Sequence, residues 1–403
     1  MDIPVIYPTQ KPIQGFPPGT RRVSARYTSL LSMLVVLVLV SCGPVPTIIS
    51  SSPTTQLPEA TPTPKAAEQT APFILSEPGP FHLGIRRDYT FTDSDRDNRE
   101  ISIIIIYPAV VPQDSPPDSL VADAAPDLSG APYPLMLSSS KLAFNFAPYL
   151  VSHGFIWIGV SRIDTYMPWN ENLISQPQDL VFALDQASSH PLEGLDGMID
   201  FETTGAMGYS FDGTNSLFLG GARVDPEFYL EQCRKAPTME PALTQSELEN
   251  YCTISKRWDQ FAANAGDKIT SSNDGLWQPI TDKRIRAVMP MGPDGAWLFG
   301  ERGLAAVDRP TLIINATEDE YCNYQREAVY IYEHIGTLDK TLISFVGKTH
   351  MMILDQEMVS RMAHFAVAFF GYHLQGREDY AKYYSKDFVN QYPDLTWGVY
   401  TGE

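Results

Sequence analysis

The chain reads as an α/β protein, with a mostly parallel central sheet flanked by helices and a helical insertion late in the fold. Three observations predict this. From about residue 78, short apolar runs rich in Val and Ile alternate with stretches of helical spacing. The runs are apolar almost throughout, as in strands covered on both faces. One stretch, residues 222–282, breaks the rhythm with no strong strand signal, yet it holds Phe228, Tyr229, Tyr251, Trp258, Phe261 and Trp277.

The elements follow in order. Ile101–Tyr107 is a β-branched run ending at Pro108, and the strands at about 88–107 lack a helix between them, so they form an antiparallel lead-in. Pro134–Leu137 is the next strand, followed by a helix that ends near His153-Gly154. Phe155–Val160 is a buried strand, Asp179–Gln186 has helical apolar spacing, and Thr204–Gly208 is a short strand of small residues. Ile285–Pro290, Thr311–Asn315 and Thr341–Val346 complete the strands, with helix expected between Asp319 and Thr341 and from Leu354 to His373. Residues 222–282 are expected as a mainly helical cap over one end of the sheet.

Composition narrows the class. The 403 residues include 43% hydrophobic residues, enough for a large core, and carry a formal charge of −19, which argues against nucleic acid as a partner. Twelve of the 33 prolines lie in the first 75 residues, which excludes that stretch from ordinary core. Within it, Arg21, Arg22 and Arg26 precede the 11-residue apolar run Leu30–Val40, which leads into Ser41-Cys42-Gly43. A basic segment, an apolar run well short of the ~20 residues that span a bilayer, and small residues at its exit describe an export signal. Leu39-Val40-Ser41-Cys42 resembles a bacterial lipobox, which implies cleavage before Cys42 and lipid on its thiol. The domain plan is therefore a signal peptide at 1–41, a Pro/Thr/Ser-rich tether at 42–77 and a folded domain at 78–403 with the cap at 222–282. The expected location is outside the cytoplasm, held to the cell membrane through Cys42. In that compartment a cysteine pair is oxidised. Cys233 and Cys252, 19 apart in one segment, are the expected disulfide, and Cys322 is the odd thiol. No CxxC or HxxxH spacing points to zinc.

The sharpest local feature is Gly205-Ala-Met-Gly-Tyr-Ser-Phe-Asp-Gly213. A strand of small residues running through a glycine into Ser210 and then a helix suits a nucleophile, whose oxygen must stand exposed on a tight strand-to-helix turn. Taken alone, the same pattern fits a Gly-rich βα turn. Asp319 follows the strand Thr311–Asn315, where Glu318 and Glu320 beside it leave a solvated acidic turn as the alternative. Of the histidines after it, only His350 follows a strand; His334, His364 and His373 fall in helical stretches. Ser210, Asp319 and His350 thus stand in the chain order Ser, acid, His, each at a strand exit.

From about Gly79 to Lys386, three quarters of the chain, the sequence resembles the bacterial predicted dienelactone hydrolases, close to the platelet-activating-factor acetylhydrolase group of α/β-hydrolases. Asp95–Ala109 with its Tyr-Pro-Ala ending, Tyr133–Ser138, Tyr149–Phe155, Asp179–Asp185 and Pro310–Asp319 carry the resemblance. It implies an α/β-hydrolase fold with Ser210 as nucleophile, Asp319 as acid and His350 as base. Two departures stand out. Where the family shows Ser-His-Gly-Leu-Gly, this chain has Ser138-Ser-Ser-Lys-Leu142, and where the elbow has its second glycine, this chain has Asp212. The expected oxyanion donors are the backbone amides of Phe211 and Lys141. A carboxylate at 212 is favoured by a helix N-terminus but repels a developing oxyanion unless turned away.

The function expected is hydrolysis of a small carboxylic ester through an acyl-enzyme, with no metal or organic cofactor. A non-catalytic lipoprotein that binds a ligand on the same scaffold is the second reading. Trp297 and Phe299, in the loop leading to the acid strand, are expected to wall an apolar pocket that favours short or medium acyl chains; the other reading of these aromatics is core of the cap.

Overall fold

Apolar side chains alternate between two faces along each central strand of the protein. Met136, Met207, Met289, Ile314 and Ile343 join the core on one face. Leu135, Leu137, Ala206 and Val288 point to the other, in a core shared with the first strands, and Ile313 and Leu342 join a third cluster on that side. The structure, a computed structural model, describes residues 72–402 apart from 113, 117–118, 162–167, 191 and 241. The stretches expected as export signal and tether, up to residue 71, and Cys42, the expected lipidation site, lie outside the described residues.

The sheet has 11 strands. A hairpin of β1 (His82–Asp93) and β2 (Arg99–Val110) opens it, and in its five-residue loop Asp97 and Asn98 both have positive φ, which Asp and Asn tolerate better than most residues. Two short edge strands follow, β3 (Leu120–Ala122) and β4 (Ala125–Pro126). Then come β5 (Tyr133–Ser139), β6 (Ile156–Val160), β7 (Ile199–Tyr209), β8 (Ile285–Met291), β9 (Thr311–Ala316), β10 (Lys340–Phe345) and β11 (Leu395–Trp397). Their order is β11-β10-β9-β8-β7-β5-β6-β2-β1-β3, with β4 paired to β2. The six strands from β10 to β6 are parallel; β2 is antiparallel to β6, β1 and β4, β11 is antiparallel to β10, and the edge strand β3 runs parallel to β1.

Helices cover both faces. Helix α1 (Ser140–Ser152) follows β5, α2 (Asn172–Ser189) follows β6 and α3 (Phe211–Leu219) follows β7. Buried Asp179 of α2 pairs with both Arg96 and Arg99, which pins the hairpin to the helix layer. The insertion contains α4 (Pro226–Lys235), α5 (Gln245–Cys252), α6 (Trp258–Ala265) and α7 (Asp267–Thr270), a helical cap as the composition predicts. Cys233 and Cys252 form the expected disulfide between α4 and α5, and Cys322 is free and buried. Beyond the cap lie α8 (Ala296–Leu304), α9 (Tyr330–His334), α10 (Gln356–Gln375) and α11 (Lys386–Val389).

Two boundaries differ from expectation. The packed fold begins before residue 78: Phe73 stacks on Tyr392, Leu75 is buried, and the Leu75 amide donates to His364 Nδ1. Two apolar side chains and a buried acceptor order this end of the tether. The helix expected from Asp319 starts later, with a π-helical turn at Gln325–Val329 ahead of α9, because the backbone just after Asp319 is committed to that residue's carboxylate.

Candidate active site

The sheet has a topological switch point where chain direction divides. From central β5 the chain moves outward to β6, whereas β7 and its successors build on the opposite side. Ligand sites of open α/β sheets lie at such a switch point, outside the carboxyl ends of the strands. Ser139 ends β5 and Ser210 follows β7, so both stand there.

Ser210 occupies φ 60, ψ −121, a backbone conformation L-residues rarely adopt. It is held by its amide, which donates to Met291 O at 2.8 Å, and by the helix that begins with Phe211. The tight turn requires bare backbone on either side. A Cβ on Gly208 would lie 2.1 Å from the Asp212 carbonyl group, and one on Gly213 would lie 2.7 Å from Met291 O. Although Ser210 is the N-cap of α3, its side chain does not cap the helix. The hydroxyl is left on a half-buried residue at the switch point.

His350 and Asp319 meet as the sequence predicts. His350 Nδ1 lies 2.7 Å from Asp319 Oδ2, with both residues buried. Asp319 Oδ1 accepts the amides of Tyr321 at 2.9 Å and Cys322 at 2.6 Å, so the carboxylate is anchored by three donors. A carboxylate partner selects the Nδ1–H tautomer and leaves Nε2 as an acceptor. The histidine backbone is fixed as well: its amide donates to Glu320 Oε2 at 2.9 Å, and its carbonyl accepts the Tyr209 hydroxyl at 2.7 Å. Burial pushes the Tyr209 hydroxyl well above its ordinary pKa, so it is a neutral donor. Glu320, which reads in the sequence as part of an acidic turn, and Tyr209, the residue before the serine, are therefore supports that pattern reasoning did not single out.

The end of β8 touches both Ser210 and His350. Gly292, next to the residue that binds the Ser210 amide, comes so close to the imidazole that an added Cβ would lie 3.4 Å from His350 Cε1. Among the described residues, however, no hydrogen bond joins the Ser210 hydroxyl to His350.

Phe211 and Lys141 stand at N1 of α3 and N2 of α1, where backbone amides lack intrahelical acceptors. Asp212 is engaged by its own partners. It is buried, accepting the Ser139 hydroxyl on Oδ2 and Asn215 Nδ2 on Oδ1 at 3.2 Å. Burial raises its carboxyl pKa to about 6.

Trp297 and Phe299 correct the pocket expectation. Phe299 is fully buried, edge-on to Phe218 at 4.7 Å, and Trp297 is buried 5.8 Å from the Tyr251 ring. Both belong to the core joining the cap to α3 and α8. The glycine-flanked turn before α8 brings its first residues inward, which loop reading from sequence cannot foresee. The cap reaches the acid loop through the Tyr251 hydroxyl on Tyr321 O at 3.0 Å and an Arg326–Glu247 ion pair.

Two other arrangements of side chains stand beside this one. Ligand atoms of Asp319, Cys322 and His350 lie within 4.8 Å of one another. Burial and nearby carboxylates push the Cys322 thiol well above its ordinary pKa, so it stays protonated and is a poor metal ligand. The large groove of about 1530 Å³ runs between the β1–β2 turn, α2 and α6–α7, and its lining includes none of Ser210, Asp319 and His350. No protein-family model and no curated protein matches the chain.

Proposed function

We propose that the chain is a serine hydrolase of small carboxylic esters, built on the α/β-hydrolase scaffold that its sequence resembles. One observation carries the reading: a serine in strained backbone at a strand-to-helix turn shares the carboxyl end of a parallel sheet with an imidazole oriented by a buried carboxylate. The chemistry follows from these groups. His350 Nε2 takes the proton of Ser210 Oγ as the oxygen attacks the ester carbonyl. Asp319 keeps Nδ1–H in place and stabilises the imidazolium without taking its proton. The amides of Phe211 and Lys141 receive the oxyanion. The imidazolium then protonates the departing alkoxide. Water, deprotonated by His350, attacks the acyl-enzyme and frees the acid, and the proton returns to Ser210. In this reading the enzyme is exported and held at the membrane by lipid on Cys42.

The missing Ser210–His350 hydrogen bond favours a second reading, a binding module without catalysis. Catalytic hydrogen bonds often tighten only when substrate is bound, so the first reading is preferred. A fluorophosphonate probe on the purified protein separates the two. Labelling of the wild type that disappears in Ser210→Ala is expected. Folded wild-type protein that resists labelling and leaves p-nitrophenyl acetate intact would establish the binding module.

A further inference from the structure

The two departures of this chain from the pattern it resembles are 73 residues apart in sequence and touch each other in the fold. Ser139 closes β5 as the N-cap of α1, the position where a serine ordinarily caps the first turn. Its side chain makes no such cap; the hydroxyl donates to Asp212 Oδ2 instead. The first-turn amides of α1, Lys141 among them, are consequently not capped by Ser139. Asp212 lies one residue past Phe211, so its carboxylate spans the two helix starts that carry the assigned oxyanion donors.

The link is firmly held. Ser139 is 0% and Asp212 6% exposed, which keeps water from competing for the bond. Asn215 Nδ2 donates to Asp212 Oδ1 at 3.2 Å and to Gln176 Oε1 at 3.1 Å, carrying the network from α3 to α2. The Asp212 carbonyl accepts the Ser216 hydroxyl at 2.9 Å, and Gly208 packs directly beneath the same residue. The two side chains that donate to the carboxylate, Ser139 at the end of β5 and Asn215 on α3, hold it between two elements, and the exposed Lys141 is the cation that acts on it electrostatically.

We propose that Ser139 and Asp212 are a positioning pair whose hydrogen bond sets the spacing of the Lys141 and Phe211 amides around the oxyanion. The proposal rests on the hydrolase reading given above. It explains why the glycines of one loop and the second glycine of the elbow are both absent: a polar crosslink now fixes backbone that would otherwise be set by close glycine packing.

Donors that act on the oxyanion act in the transition state, so a misplaced donor lowers kcat and leaves KM nearly unchanged. Loss of a whole oxyanion donor costs about 10²–10³ in kcat, and a displaced one somewhat less. The test is steady-state hydrolysis of p-nitrophenyl acetate by Ser139→Ala, Asp212→Ala, their combination and Asp212→Asn, with folding checked by circular dichroism. Each alanine variant should lose about 10- to 100-fold in kcat with KM within about twofold, and the double variant should be no worse than the weaker single. Asp212→Asn retains an acceptor for Ser139 and should restore kcat to within about threefold of wild type. Ser139→Cys, which keeps the shape but donates weakly, gives a folded counterpart if an alanine variant does not fold; it too should lower kcat alone. Additive losses, losses in KM, or folded variants with wild-type kcat would overturn the pair. Wild-type protein without Ser210-dependent turnover would overturn the hydrolase reading itself, a result distinct from any of these.

Discussion

Asp319→Asn isolates the part played by the buried acid. The wild-type carboxylate accepts three hydrogen bonds, from His350 Nδ1 at 2.7 Å and from the amides of Tyr321 and Cys322. An asparagine has one oxygen and one NH₂ for these three donors. The two backbone amides converge on Oδ1 and cannot turn away, so they hold the asparagine oxygen there. The NH₂ then faces His350 Nδ1, and the imidazole satisfies it by moving its proton to Nε2. In the proposed hydrolase that tautomer presents N–H rather than a lone pair to Ser210, and the general base is lost. In serine proteases the same wrong-tautomer substitution lowers kcat by about 10⁴, or ~5.4 kcal/mol of transition-state stabilisation. A loss of this order is expected in kcat for p-nitrophenyl acetate, with the melting temperature measured alongside to establish that the variant is folded. Glu320→Gln is the control: it keeps an acceptor for the His350 amide, now at 2.9 Å, and should cost less than about tenfold. An Asp319→Asn enzyme within tenfold of wild type, or a larger loss in Glu320→Gln, would refute the assignment of Asp319 as the orienting acid.

Trp297→Ala is expected to act on stability. Its burial in the cap core predicts a loss of about 3–5 kcal/mol in urea unfolding, and equal proportional changes in kcat/KM for acetate and longer acyl esters; a selective loss for the longer ester would return Trp297 to the pocket wall. Asp212 gives a pH signature. Its folded pKa, about 6, lies above the 3.8 of the free side chain, so the native state holds this proton more tightly than the unfolded chain. The sign follows: stability from this group is greatest below pH 4, falls as pH rises through 6, and is then constant, a total of about 3 kcal/mol. Asp212→Asn removes that slope, so its unfolding free energy relative to wild type should climb between pH 4 and pH 7, and a pH-independent difference would contradict it.

The order of strands and helices was legible because burial on both faces writes nearly continuous apolar runs, as in Phe155–Val160 and Thr311–Asn315. The triad candidates were legible for a related reason. A parallel sheet delivers every strand exit to the same end, so Ser210, Asp319 and His350 could be found from their positions after strands without any knowledge of distance. Neighbour-dependent properties were not accessible in this way. Whether Trp297 and Phe299 face a cavity or a core depends on how Gly295 turns the chain toward Thr214 and Phe218, contacts separated by about 80 residues. The start of the packed fold is not legible in the sequence because Phe73 and Leu75 follow a Pro- and Thr-rich stretch, while their partners, Tyr392 and His364, lie near the other end of the chain. Asp212 is the most instructive case. In the sequence it is a charge at a place where charge opposes catalysis. Its consequence turns on which partners the carboxylate takes, and these include the hydroxyl of Ser139, contributed by another strand, beside Asn215 of its own helix. A local pattern can therefore report that an elbow is altered, but whether the alteration disables the turn or braces it is a property of the contact between the two altered segments.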